Sequence, residues 1–101
     1  MRDNVNGDRI EILLVEDNHG DARLVREAIA EAGNSQFELS RVERLSEALQ
    51  HLSTNSCDVI LLDLSLPDSH GLDTFAKVHA QTPQVPIMVL SGLDDETLAV
   101  K

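Results

Sequence analysis

Ile10-Glu11-Ile12-Leu13-Leu14-Val15-Glu16-Asp17-Asn18 is the stretch from which the rest of the chain can be read. Its aliphatic positions are nearly continuous instead of alternating, which suits a strand covered on both faces and so a central parallel strand. The run stops at two acids and an asparagine able to cap a helix. Downstream, Ala22, Val25, Ala28, Ile29 and Ala32 recur at helical spacing until Gly33 supplies a stop signal.

The same cycle repeats along the chain. Phe37, Leu39 and Val42 predict a shorter strand, and Leu45, Ala48, Leu49 and Leu52 predict a second helix. Val59 to Leu62 is a second strongly aliphatic strand ending at Asp63. After a turn at Pro67, a third helix is expected to carry Leu72, Phe75, Ala76 and His79 on one face. Val85 to Leu90 predicts a further strand ending at Ser91 and Gly92, and Asp94 or Asp95 then caps a helix with Leu98 and Ala99. Strand and helix alternate because a parallel connection requires a crossover. The fold class is therefore α/β, a doubly wound parallel sheet, with the polar 1–8 stretch as a lead-in and 9–101 as one domain.

Composition narrows the function. A chain of 101 residues holds one core, and aromatics at 2% leave Leu, Val, Ile and Ala to fill it and no platform for stacking bases. Eighteen acidic against eight basic side chains give a net charge of -10, which repels nucleic-acid phosphates and anionic membranes. Aliphatic runs of four residues are far short of the roughly 20 that cross a bilayer. The single Cys57 forms no internal disulfide, and the polar start shows no signal peptide, so a cytoplasmic location is expected.

In open parallel sheets, ligands gather at the carboxyl ends of the strands near the point where strand order reverses. The polar residues at those ends are Glu16 and Asp17, Asp63 and Ser91. In a two-one-three-four order the first and third strands are neighbours, so three carboxylates meet in one crevice. Such a set raises its own pKa values unless a cation lies among them. Hard oxygen ligands suit magnesium better than zinc. His19, His51, His70 and His79 show no metal-ligand spacing and are read as structural or exposed. Taken alone, Glu16 and Asp17 read equally well as acids starting a helix, and Ser91 as a turn hydroxyl.

Asp63-Leu64-Ser65-Leu66-Pro67-Asp68-Ser69-His70-Gly71 resembles the acceptor segment of the receiver domains of two-component response regulators. So do Leu13-Leu14-Val15-Glu16-Asp17-Asn18 and Val85-Pro86-Ile87-Met88-Val89-Leu90-Ser91-Gly92, in the same order. The resemblance implies a flavodoxin-like strand order 2-1-3-4. It implies Asp63 as phosphoryl acceptor and Mg2+ held by Glu16, Asp17, Asp63 and the backbone carbonyl of Ser65. It also implies Ser91 as the hydroxyl bonding a phosphoryl oxygen, and Pro67 and Gly71 as shapers of the loop. Its partners would be a histidine kinase or phosphotransfer protein and a downstream effector. The family's fifth strand, the lysine before it and its fifth helix have no counterpart here, and Lys101 does not match that lysine. A homodimer through the edge of 85–90, or by element exchange, is expected on that ground.

Two other readings compete: a receiver-like interaction module or compromised fragment that does not switch, and an aspartate-nucleophile phosphatase. The phosphatase needs an acid two positions after the nucleophile, and that position is Ser65.

Overall fold

The structure, a computed structural model, describes residues 9–33 and 36–90. The expected lead-in, Ser91 and the helix after Gly92 lie outside the described residues. Along the chain run β1 (Ile10–Val15), α1 (His19–Gly33), β2 (Phe37–Val42), α2 (Leu45–Thr54) and β3 (Val59–Asp63). Then come β4 (Ser65–Leu66), β5 (Ser69–His70), α3 (Leu72–Gln81) and β6 (Ile87–Leu90).

Four strands form one parallel sheet in the order β2-β1-β3-β6, the expected 2-1-3-4 arrangement once the small β4–β5 hairpin is set aside. Period-two alternation divides the aliphatic strands between two layers. Leu13, Val15, Ile60 and Leu62 face α2 and α3 and pack with Leu45, Ala48 and Val78. Ile12, Leu14 and Leu61 face the opposite layer and pack with Ala22 of α1. Each fully buried aliphatic side chain contributes about 1.5–3 kcal/mol. The central strands carry most of these, which explains why β1 and β3 read as continuous runs. β2, on the edge of the sheet, instead alternates half-buried Phe37 and Leu39 with exposed Glu38 and Ser40.

Helix faces were less legible. Ala28 and Ala32 of the expected α1 stripe are exposed. In α3 the fully buried residues are Thr74 and Val78, with Phe75 packed beside them. Leu72 is 76% exposed, Ala76 is exposed, and exposed His79 stacks on Phe75 with ring centroids 5.7 Å apart. Thr74 takes an interior position because its hydroxyl meets Ser69 Oγ at 2.6 Å, which removes the cost of burying it. A hydropathy pattern cannot register that partner.

The β4–β5 hairpin, also outside the expected elements, is antiparallel, with Ser65 opposite His70 and Leu66 opposite Ser69. Fully buried Leu66 roots it in the core. The hairpin leads into Gly71 at φ 71° and ψ −156°, a region that L side chains rarely enter. Its N–H donates to the Leu64 carbonyl at 2.7 Å. A Cβ added at Gly71 would meet no atom within 4 Å, so its cost is conformational and not a clash. Gly71→Ala is expected to lower stability by about 1–3 kcal/mol, read from urea unfolding.

From the hairpin turn, Asp68 reaches the start of α2. Its Oδ1 accepts the Leu45 N–H at 2.8 Å and its Oδ2 the Ser46 N–H at 3.0 Å. Arg44, at the N-cap position, makes no side-chain cap. Thus a residue 23 positions away supplies the cap that the local sequence lacks. Burial pushes the Asp68 carboxyl up, but the Leu45 and Ser46 amides outweigh it and hold the group below its ordinary 3.8. Asp68→Ala is expected to destabilise by about 1 kcal/mol, as loss of a cap does. Because the folded-state pKa is depressed, this stabilisation is present above about pH 4 and fades as pH falls below it. Urea titrations of both proteins at neutral and acid pH check both points.

Candidate functional site

β1 and β3 are neighbours, and their carboxyl ends open side by side because Val15 lies in register with Leu62. Glu16, one residue past β1, stays tied to the sheet through its N–H to the Val42 carbonyl at 3.0 Å. Its Oε2 accepts the Asn18 N–H at 3.1 Å. Asn18 Oδ1 in turn accepts the Asp21 N–H at 2.8 Å, the side-chain cap of α1 that the sequence predicted. Asp63 is the last residue of β3, in register with Leu90 of β6, and its Oδ1 accepts the Ser65 N–H at 3.1 Å.

These constraints bring Glu16, Asp17 and Asp63 together, with one carboxylate oxygen from each lying within 4.8 Å of the others. Glu16 is 4% exposed and Asp63 8%, while Asp17 is half-buried. Burial, first, and then the hydrogen bond to and repulsion from Asp63 push the Glu16 carboxyl from 4.5 up to about 7. The Asn18 amide pulls it down, and the Asp21 charge adds a further upward push. Chemically, such a set either retains a proton or takes a cation. Three carboxylates without His or Cys form a hard oxygen donor set, the kind that Mg2+ and Ca2+ prefer.

Around the cluster, Arg41 of β2 donates from Nε to the Glu16 carbonyl at 3.0 Å, and its Nη1 lies 3.3 Å from His19 Nδ1. His19, the first residue of α1, is thereby held against β2. Nothing in the sequence singled out Arg41 or Asp68, because their roles depend on partners in other elements.

The chain matches, over residues 12–101, the family described as "Response regulator receiver domain". It belongs to that family. The receiver domain is 36% identical over 86 residues to the KDP operon transcriptional regulatory protein KdpE of Escherichia coli strain K12, covering 85% of this chain and 36% of that protein. It is also 36% identical over 83 residues to the swarming motility regulation protein RssB of Serratia marcescens, covering 82% of this chain and 36% of that protein. The chain thus spans about a third of the length of these curated relatives. Among solved structures, the phosphorylated cyanobacterial phytochrome response regulator RcpA superposes with a TM-score of 0.74 at 32% identity. That match covers 91% of this chain and 71% of the other.

Of the residues expected at the receiver site, Glu16, Asp17 and Asp63 converge. The Ser65 backbone touches Asp63 through its N–H, and Gly71 has the positive-φ turn conformation that glycine accommodates. Ser91 follows Leu90 directly and lies outside the described residues. No helix among the described residues is long and apolar enough to cross a membrane.

Proposed function

We propose that this receiver domain is a phosphoacceptor switch in which Asp63 takes a phosphoryl group from a histidine kinase or phosphotransfer protein. The observation that carries this reading is a nearly buried carboxylate at the end of β3, within 4.8 Å of two more from the end of β1. A carboxylate oxygen of Asp63 attacks phosphorus, the bond to the donor's imidazole nitrogen breaks, and the released imidazole recovers a proton from solvent. The product is an acyl phosphate.

Glu16, Asp17, Asp63 and the Ser65 carbonyl would hold Mg2+, and the residues present fit it through their all-oxygen chemistry and their burial. When bound, Mg2+ offsets the charge on the phosphoryl oxygens. The chain's own contribution is orientation. The Ser65 N–H to Asp63 Oδ1 bond fixes the acceptor carboxylate, and burial keeps water from it. Ser91 is assigned the phosphoryl hydrogen bond whose formation shifts the surface read by an effector.

This is a signalling role rather than turnover of a metabolite, exercised by the domain over 9–101 in the cytoplasm and without direct contact to nucleic acid or membrane. Pairing of two copies along β6, whose one strand partner among the described residues is β3, belongs to the same reading. The test is incubation with Mg2+ and acetyl phosphate. A hydroxylamine-labile gain of one phosphoryl mass on Asp63 is expected, and an unchanged mass argues against the proposal.

A further inference from the structure

We propose that Arg41 is a positioning residue that clamps the loop carrying Glu16 and Asp17 and thereby sets the affinity of the acidic cluster for a divalent cation. The inference rests on reading that cluster as a cation site. Two of its three carboxylates sit on the short connection between β1 and α1. Like charges on a short loop spread apart unless the backbone is held, and an arginine beside them is well suited to hold it.

Arg41 stands on β2, in register with Leu14 of β1. From there its side chain spans three elements. Nε donates to the Glu16 carbonyl at 3.0 Å, which fixes the peptide joining the two acids, and Nη1 meets His19 Nδ1 at 3.3 Å in the first turn of α1. A guanidinium only donates, so His19 accepts on Nδ1 and carries its proton on Nε2. The planar fork makes both bonds at once, which a lysine ammonium on a flexible stem does not.

The setting favours a functional purpose over simple surface packing. The Arg41 side chain is only 16% exposed, and its buried Nη2 has no hydrogen-bond partner, the Glu43 carboxylate standing off at 3.6 Å. Nη2 is thus ion-paired with Glu43 but makes no hydrogen bond, and a buried donor without one calls for a reason. Here the reason is the place of the other two nitrogens: the arginine gives up one bond to grip the loop behind the acidic cluster. Residues that orient metal ligands from behind typically change metal affinity about 10–100-fold when mutated.

The experiment compares the full chain with Arg41→Met, Arg41→Lys and His19→Ala. It measures Mg2+ affinity by calorimetry, the Mg2+ dependence of phosphorylation by acetyl phosphate, and hydrogen exchange at the Asp17 and Asn18 amides. Arg41→Met is expected to weaken Mg2+ binding about 10-fold or more. The Mg2+ concentration for half-maximal phosphorylation should rise more than the maximal rate falls, and both amides should exchange faster. Arg41→Lys should recover only part of the affinity, and His19→Ala should fall between wild type and Arg41→Met.

Wild-type affinity and protection in folded Arg41→Met would overturn the clamp. So would full rescue by lysine, since charge alone would then suffice. If Arg41→Met does not fold, the same readouts on Arg41→Lys and His19→Ala decide. If the wild type binds no Mg2+, the cation reading fails by itself. Amide exchange still tests the grip on the loop: faster exchange in the variants supports it and unchanged exchange refutes it.

Discussion

Asp63→Asn is expected to abolish phosphoryl incorporation and, at the same time, to stabilise the metal-free protein at neutral pH. The first effect follows from chemistry: an amide oxygen is a poor nucleophile toward phosphorus, and no other described carboxylate ends β3. The second follows from electrostatics. Asp63 both hydrogen-bonds to Glu16 and repels it, and these are two of the forces raising the Glu16 pKa to about 7. An asparagine amide keeps the shape and donates to the Glu16 carboxylate. Because burial is the largest cause and stays in place, the relief is only part of the whole, about 1 kcal/mol. The mutant should therefore unfold at higher urea concentration than wild type in EDTA, and Mg2+ should add little further stability. Continued labelling of the Asp63→Asn protein would place the acceptor elsewhere.

The other large effect is a dependence of stability on both pH and Mg2+. Glu16 has a folded-state pKa of about 7 against an ordinary 4.5, so between these values the native state binds a proton that the unfolded chain has released. Stability therefore falls as pH rises from about 4.5 to about 7, by at most about 3 kcal/mol, and levels off above that. Asp68 acts in the opposite sense at lower pH, since its cap weakens as its carboxylate protonates. Metal-free protein is thus expected to be most stable near about pH 4.5 to 5. Mg2+ reverses the loss above about pH 7, where the proton no longer competes, and at about 100 times its dissociation constant contributes about 2.7 kcal/mol. The chain has neither Trp nor Tyr, so far-UV circular dichroism in urea is the suitable probe. A flat profile from about pH 4.5 to 7 in EDTA would contradict the strained carboxylate pair.

Both effects arise from one juxtaposition, and its parts were legible to different degrees. The aliphatic runs of β1 and β3 could be read directly, because a strand buried on both faces must be apolar at every position, and only a central parallel strand meets that condition. The strand order implied by the resemblance makes those two strands adjacent, and the acids that end them then have to meet, so Glu16, Asp17 and Asp63 were legible as a cluster. Asn18 was legible as a helix cap for a similar reason, since a cap is a local bond between residues three apart. The buried face of α3 was not, because Thr74 is interior only by virtue of Ser69, and hydropathy ranks the two as polar.

What the amino-acid sequence determined by itself was the parallel α/β sheet and the acids at the carboxyl ends of its strands, since burial pattern is a property of short stretches of chain, while the strand order was readable only through the resemblance to receiver domains. Only the tertiary structure decided that Glu16 is pressed against Asp63 until it titrates near neutral pH, that Asp68 caps α2 from another element, and that Arg41 grips the loop behind the acids. Each of these depends on distances between groups remote in the chain, and electrostatic and hydrogen-bond energies are set by those distances and by burial.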